Sequence, residues 1–126
     1  MTTSVKELVA AANEAVPRVT PEEARRLIDE ENALLVDVRD GPEVAASGKL
    51  ERAKNVPRGM LEFRADAASP THDAEFDPAR PVILYCASSG RSALSGKTLR
   101  DLGFGRVFNL GGFKDASEAG FPIEPA

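Results

Sequence analysis

Two nearly continuous apolar runs constrain this chain more than anything else in it: ALLVDV at residues 33–38, interrupted only by Asp37, and VILYC at residues 82–86. A strand with one face in water alternates apolar and polar residues, and neither run does so. Each therefore predicts a strand covered on both faces, as in a parallel sheet whose crossovers are helices. At 126 residues the chain can build one core of this kind and is too short for two full domains.

Helices are predicted in the right places to cover such strands. Val5, Leu8, Val9, Ala12 and Val16 recur at helical spacing behind a Ser4–Glu7 capping pattern. Thr20-Pro21-Glu22-Glu23 starts a second helix, with Ala24, Leu27 and Ile28 as its apolar face. Asp40-Gly41-Pro42-Glu43 opens a short third helix, and residues 54–56 form a brief strand before Pro57. Residues 58–63 make one or two helical turns, and residues 67–80 read as a surface loop. A helix over 91–102 has Ala93, Leu94, Leu99 and Leu102 as its core positions, with Gly103 as its stop. A strand over 106–110 precedes Gly111-Gly112, where the chain turns into a last helix closed by Gly120.

Charge and composition narrow the partners. A net charge of −4 argues against a nucleic-acid binder or an anionic-membrane binder, while leaving room for a small anion in a local positive pocket. One cysteine excludes an intrachain disulfide, and one histidine beside it leaves no basis for a structural zinc site; no metal site is expected. The first residues lack a secretory pattern, and no run approaches the ~20 apolar residues of a membrane span, so a cytoplasmic protein is expected.

The one cysteine, Cys86, stands where the second apolar run stops, followed by Ala87-Ser88-Ser89-Gly90-Arg91-Ser92. In open α/β sheets, ligands bind beyond the carboxyl ends of the strands. A tight loop of small residues running into a helix start turns several backbone N–H groups toward one point, an anion-binding nest. The same field favours thiolate over thiol and so prepares a nucleophile. Gly90 is expected to supply a backbone angle other residues resist, and Arg91 a positive charge for an incoming anion. Strand position and small neighbours alone fit an inert buried cysteine equally well; the loop and helix start tilt the reading toward chemistry.

The loop CASSGRS resembles that of rhodanese-type sulfurtransferases, in which four residues separate the cysteine from an arginine. LLVDVRDGPEV is similar to the family's strand with its Asp-x-Arg signature, here Asp37 and Arg39. AKNVP and NLGGFKDASEAGFPI extend the resemblance over most of the chain. Two positions depart from the pattern: Gly48-Lys49-Leu50 replaces a Gly-His-Ile, and Ala116 stands where an aromatic is common. The resemblance implies a rhodanese-like α/β domain at residues 17–126, behind an added N-terminal helix at residues 1–16. Its mainly parallel sheet would have about five strands, flanked by helices on both faces.

It further implies that Cys86 takes sulfur from a small donor such as thiosulfate as a persulfide. A thiol, cyanide or a protein sulfur acceptor then removes it, with no cofactor. The loop from Ala87 to Ser92 would bind the persulfide. Asp37 is either a site residue or half of a structural pair with Arg39, which would otherwise be a second anchor of the loop. Arg58 either borders the pocket or is solvated. A persulfide carrier or regulatory interaction module, with the first helix supplying specificity, is the alternative from another class. Phosphatases and arsenate reductases of related fold are a third reading, disfavoured because their loops usually hold five residues between cysteine and arginine. His72, in an acidic loop, is expected at the surface.

Overall fold

The computed structural model describes residues 2–126; Met1, the first residue of the expected extension, lies outside them. The two apolar runs become adjacent parallel strands, β1 (Leu34–Asp37) and β4 (Val82–Cys86), with Leu34 beside Val82 and Asp37 beside Tyr85. Two further parallel strands flank them, β3 (Lys54–Asn55) on β1 and β5 (Val107–Gly112) on β4, giving the order β3-β1-β4-β5. Four strands thus form the sheet where about five were expected. The fifth position is a single parallel bridge at the free edge of β5, between Arg18 and Asn109. Pro17 O accepts from Asn109 N, and Val19 N donates to Asn109 O.

Residue alternation splits the apolar runs between two cores. Leu34, Val36, Val82, Leu84 and Cys86 face one side, under α1 (Val5–Ala15), α4 (Leu61–Ala65) and α5 (Gly90–Asp101). Leu35, Ile83 and Tyr85 face the other, under α2 (Pro21–Glu31) and α6 (Phe113–Glu118). Capping boxes at Ser4–Glu7 and Thr20–Glu23 start α1 and α2, as their sequences predict. Of the expected α1 face, Ala12 and Val16 are buried, whereas Val5 and Leu8 are exposed. Val16 packs so closely on Gly96 that a Cβ there would lie 2.9 Å from both of its methyl groups, which is why α5 carries a glycine mid-helix.

Several boundaries differ from expectation. Gly111 and Gly112 belong to the end of β5 rather than to a turn, and a register shift between Leu84 and Tyr85 accommodates them. Leu102 is exposed because it lies past the last turn of α5, and Leu94 is half-buried; Ser92, Ser95 and Gly96 fill the inner face instead. The α3 helix (Gly41–Ser47) forms as expected, but β2 (Lys49–Leu50) and β6 (Ile123–Glu124) pair as an antiparallel ribbon with no strand-like sequence pattern. The long 67–80 loop buries Phe76, edge-on against Phe104. At the two departures noted in the sequence, Leu50 and Ala116 are buried in the core on the α2 side, while Lys49 is half-buried and pairs with Glu124 at 3.0 Å. Among the described residues, no helix is long and apolar enough to cross a membrane.

Candidate active site

β4 carries Cys86 to the carboxyl end of the sheet, where the chain turns at once into α5. The cysteine is buried, while Ala87 and Ser88 are exposed above it. Ser89 N–H points at Sγ from 3.0 Å and Ser92 N–H from 3.4 Å, with Ser92 Oγ also 3.4 Å away. The first intrahelical backbone bond is Ala93 N to Ser89 O, so the N–H groups of Gly90 and Arg91 belong to the unsatisfied first turn. The positive end of the α5 dipole therefore adds to the Ser89 and Ser92 N–H groups at the sulfur, which makes the loop hospitable to negative charge there.

The strained residue of the loop is Ser89, not Gly90. Ser89 has φ +84°, a left-handed conformation, and its N–H is the one nearest the sulfur. Gly90 begins α5, is absent from the positive-φ positions, and has open space where a Cβ would go. A second close approach fixes the loop from below. A Cβ on Gly112 would meet Ala87 O at 2.7 Å, so the floor under the loop must be glycine.

Arg91, expected to offer its charge to an anion, is paired with a carboxylate. Its guanidinium grips the Glu43 carboxylate through both nitrogens, at 2.6 and 2.9 Å, tying the start of α5 to α3 across 48 residues of sequence. Glu43 also accepts from Asp40 N at 3.1 Å. The Arg91 bonds first, and the Asp40 bond second, hold the Glu43 carboxyl down at about 2, against an ordinary 4.5. Its pKa is lowered on folding, so this stabilisation is complete above pH ~4.5 and disappears as pH falls through about 2. Both side chains are more than a third exposed, which limits the pair to less than about 1 kcal/mol. The expected result is a small stability gap between wild type and Glu43→Gln at neutral pH that closes in acid. Urea unfolding at stepped pH measures it, and a gap that widens in acid would refute the assignment.

Asp37 and Arg39 form a buried pair of structural kind. Asp37 is fully buried, and Arg39 reaches its two oxygens at 2.7 to 3.1 Å through Nε and one terminal nitrogen. The remaining guanidinium donors go to Ser47 Oγ and Gly48 O, and the plane lies 4.2 Å from the Phe113 ring centroid. Among the described residues Arg39 makes no hydrogen bond to the 87–92 loop, so it anchors the β1–α3 corner and not the loop. Beside it, burial first and the nearby Asp37 charge second push the Tyr85 phenol well above its usual range, and its oxygen accepts from Leu50 N at 3.0 Å.

Arg58 is placed away from Cys86. It bonds Glu62 at 2.9 Å and Thr98 Oγ1 at 3.1 Å, and Thr98 lies seven residues, about 10 Å, along α5 from Arg91. His72 is engaged with Arg64 O at 3.0 Å, within the loop. Two residues near the site carried no sequence flag. Glu43 reads only as a helix-start acid, and its link to Arg91 exists only in the fold. Asn109 is fully buried, 2.8 Å from Ser92 Oγ; a lone amide inside the apolar VFNL run was the available signal.

Among the described residues no cluster could hold a metal ion. Comparison with known proteins agrees with this architecture. The chain is 31% identical over 115 residues to a thiosulfate sulfurtransferase, GlpE, of Actinobacillus pleuropneumoniae, covering 90% of this chain and 98% of that one. A Rhodopseudomonas palustris protein of unknown function, described as a possible tyrosine phosphatase, superposes with TM-score 0.88 at 34% identity, covering 98% of this chain and 96% of that one. The polysulfide-sulfur transferase homodimer of Wolinella succinogenes superposes with TM-score 0.76 at 34% identity, covering 96% of this chain and 87% of that one. The rhodanese-like domain family matches residues 20–119, nearly everything from the second helix cap to the end of α6, and this chain belongs to it.

Proposed function

We propose that this protein is a sulfurtransferase that carries sulfur on Cys86 as a persulfide. The observation that supports this most directly is the pair of N–H groups, from Ser89 and Ser92, aimed at Sγ where α5 begins. Such groups stabilise an anionic sulfur in thiolate and persulfide alike. The similar proteins named for thiosulfate and polysulfide-sulfur transfer point the same way. In the first half-reaction the Cys86 thiolate attacks the outer sulfur of a donor such as thiosulfate. A new S–S bond forms, the donor's S–S bond breaks, and sulfite leaves with the electron pair. In the second, cyanide or a thiolate attacks the outer sulfur of the persulfide and expels the Cys86 thiolate. Both halves balance in sulfur and charge, so the cycle calls for no cofactor. Residues 87–92 form the ring around the transferred sulfur, residues 17–126 the domain that performs the transfer, and α1 (Val5–Ala15) an addition ahead of it.

A phosphatase reading, which the Rhodopseudomonas likeness raises, fits less well. A phosphate dianion is gripped best by the fork of a free arginine, and the Arg91 fork is occupied by Glu43. Intact-protein mass after brief exposure to thiosulfate, before and after cyanide, tests the proposal. Gain of one sulfur atom that cyanide removes is the expected result. A gain only from a persulfide donor would favour a carrier fed by a partner protein. No gain from either, together with phosphate release from an aryl phosphate, would overturn sulfur transfer.

A further inference from the structure

Behind Cys86 lies a polar relay enclosed in the core. Ser92 Oγ has one hydrogen and three acceptors around it: Asn109 Oδ1 at 2.8 Å, Ser89 O at 3.1 Å and Cys86 Sγ at 3.4 Å. The orientation of the Asn109 amide is fixed, because its Oδ1 also accepts from Gly111 N at 2.9 Å. A flipped amide would set its NH2 against that N–H donor. Asn109 has little freedom to move, since its backbone is held by Pro17 and Val19 on one side and by β4 on the other.

The proton arithmetic follows. With Cys86 as a thiol, Ser92 donates to its nearest acceptor, Asn109, and the S–H can donate to Ser92 Oγ. When the sulfur becomes an anion, the Ser92 hydrogen must turn to it and leave Asn109. Asn109 Oδ1 keeps Gly111 N–H and is not orphaned. Asn109 therefore competes with the sulfur for one proton. We propose that Asn109 is a positioning residue that sets how readily Cys86 ionises, acting through the Ser92 hydroxyl. This rests on the reading of Cys86 as the nucleophile, but its test needs no sulfur donor.

The charged groups nearest the thiol come from several elements: Arg91 on α5 with Glu43 on α3, the Asp37–Arg39 pair at the end of β1, and the Arg18 guanidinium over Gly111. They are the same in every variant compared. Cys86 is the chain's one thiol, so the rate of iodoacetamide alkylation of the full chain against pH reports it alone. A change in access moves the high-pH plateau, whereas a change in ionisation moves the midpoint.

Asn109→Leu removes the competing acceptor, and the midpoint should move to lower pH, raising the rate below it about threefold. Asn109→Asp keeps an acceptor toward Ser92, now stronger and charged, while giving up the Nδ2 donor to Ser89 O at 3.4 Å, and should move the midpoint the other way, lowering that rate about tenfold. In a Ser92→Ala background the Leu effect should vanish and the Asp effect should shrink by at least about half. Effects unchanged by Ser92→Ala, midpoints moving in the same direction, or a change confined to the plateau would overturn the proposal. If Asn109→Leu does not fold, the Asp arm decides alone by the same criterion. Failure of sulfur loading, by contrast, would leave these midpoints to be read as before.

Discussion

Changing Cys86 to serine is expected to abolish sulfur loading and to lower transfer from thiosulfate to cyanide by roughly ten-thousand-fold or more. The loop can favour an anion only where one is within reach. A thiol ionises near neutrality and its sulfur is intrinsically nucleophilic, whereas a serine hydroxyl needs a general base. Among the described residues no such base touches Cys86: its hydrogen-bonding neighbours are Ser89 N–H, Ser92 N–H and Ser92 Oγ, and His72 is tied to Arg64 O in the 67–80 loop. The fold should survive, because the hydroxyl is slightly smaller than the thiol and inherits the same two N–H donors. Thiocyanate production and intact mass check activity, and urea unfolding checks the fold. Full turnover by a folded Cys86→Ser protein would eliminate the mechanism.

Replacing Arg39 with methionine should destabilise the protein by about 3–5 kcal/mol, a large share of the roughly 5–15 kcal/mol that holds a domain together. The reason is what remains. Asp37 is fully buried, and three of the donors to its carboxylate come from Arg39: the side-chain Nε and a terminal nitrogen, with the backbone N–H at 3.0 Å as the third. Methionine leaves that carboxylate enclosed with only the backbone donor, and it also removes the Arg39 donors to Ser47 Oγ and Gly48 O. Arg39→Lys should recover only part of the loss, since a single ammonium cannot match the planar fork and stack on Phe113. The double change Asp37→Asn with Arg39→Met should be milder than Arg39→Met alone, because no bare charge is left. Denaturant midpoints on the four proteins decide the matter, and equal stability of Arg39→Met and wild type would refute the assignment.

These two expectations differ in how far the sequence alone could have carried them. Cys86 was legible because its signal is local: a doubly covered strand, a run of small residues and a helix start are all contiguous, and their geometry follows from backbone rules. The Asp37–Arg39 pair was half legible, since the two residues are neighbours but their burial was not visible. Gly90 illustrates the limit of composition. Glycine was the residue best suited to the left-handed position, yet Ser89 occupies it, because helix α5 begins one residue earlier than its apolar pattern indicates. The β2–β6 ribbon was invisible for a related reason: two-residue strands have no periodicity to read, and their pairing joins segments more than 70 residues apart.

The sequence by itself determined the parallel sheet, the helices that cover it and the place of Cys86 at the end of β4. Apolar alternation, caps and the end of a strand depend on residues within a few positions of one another. Only the tertiary structure decided what surrounds the sulfur. Arg91 was paired with Glu43, Arg58 was drawn down α5 to Thr98, and Asn109 was brought under Ser92. Each of those outcomes is a competition among hydrogen-bonding groups far apart in the chain, settled by distances that exist only once the sheet and helices have packed.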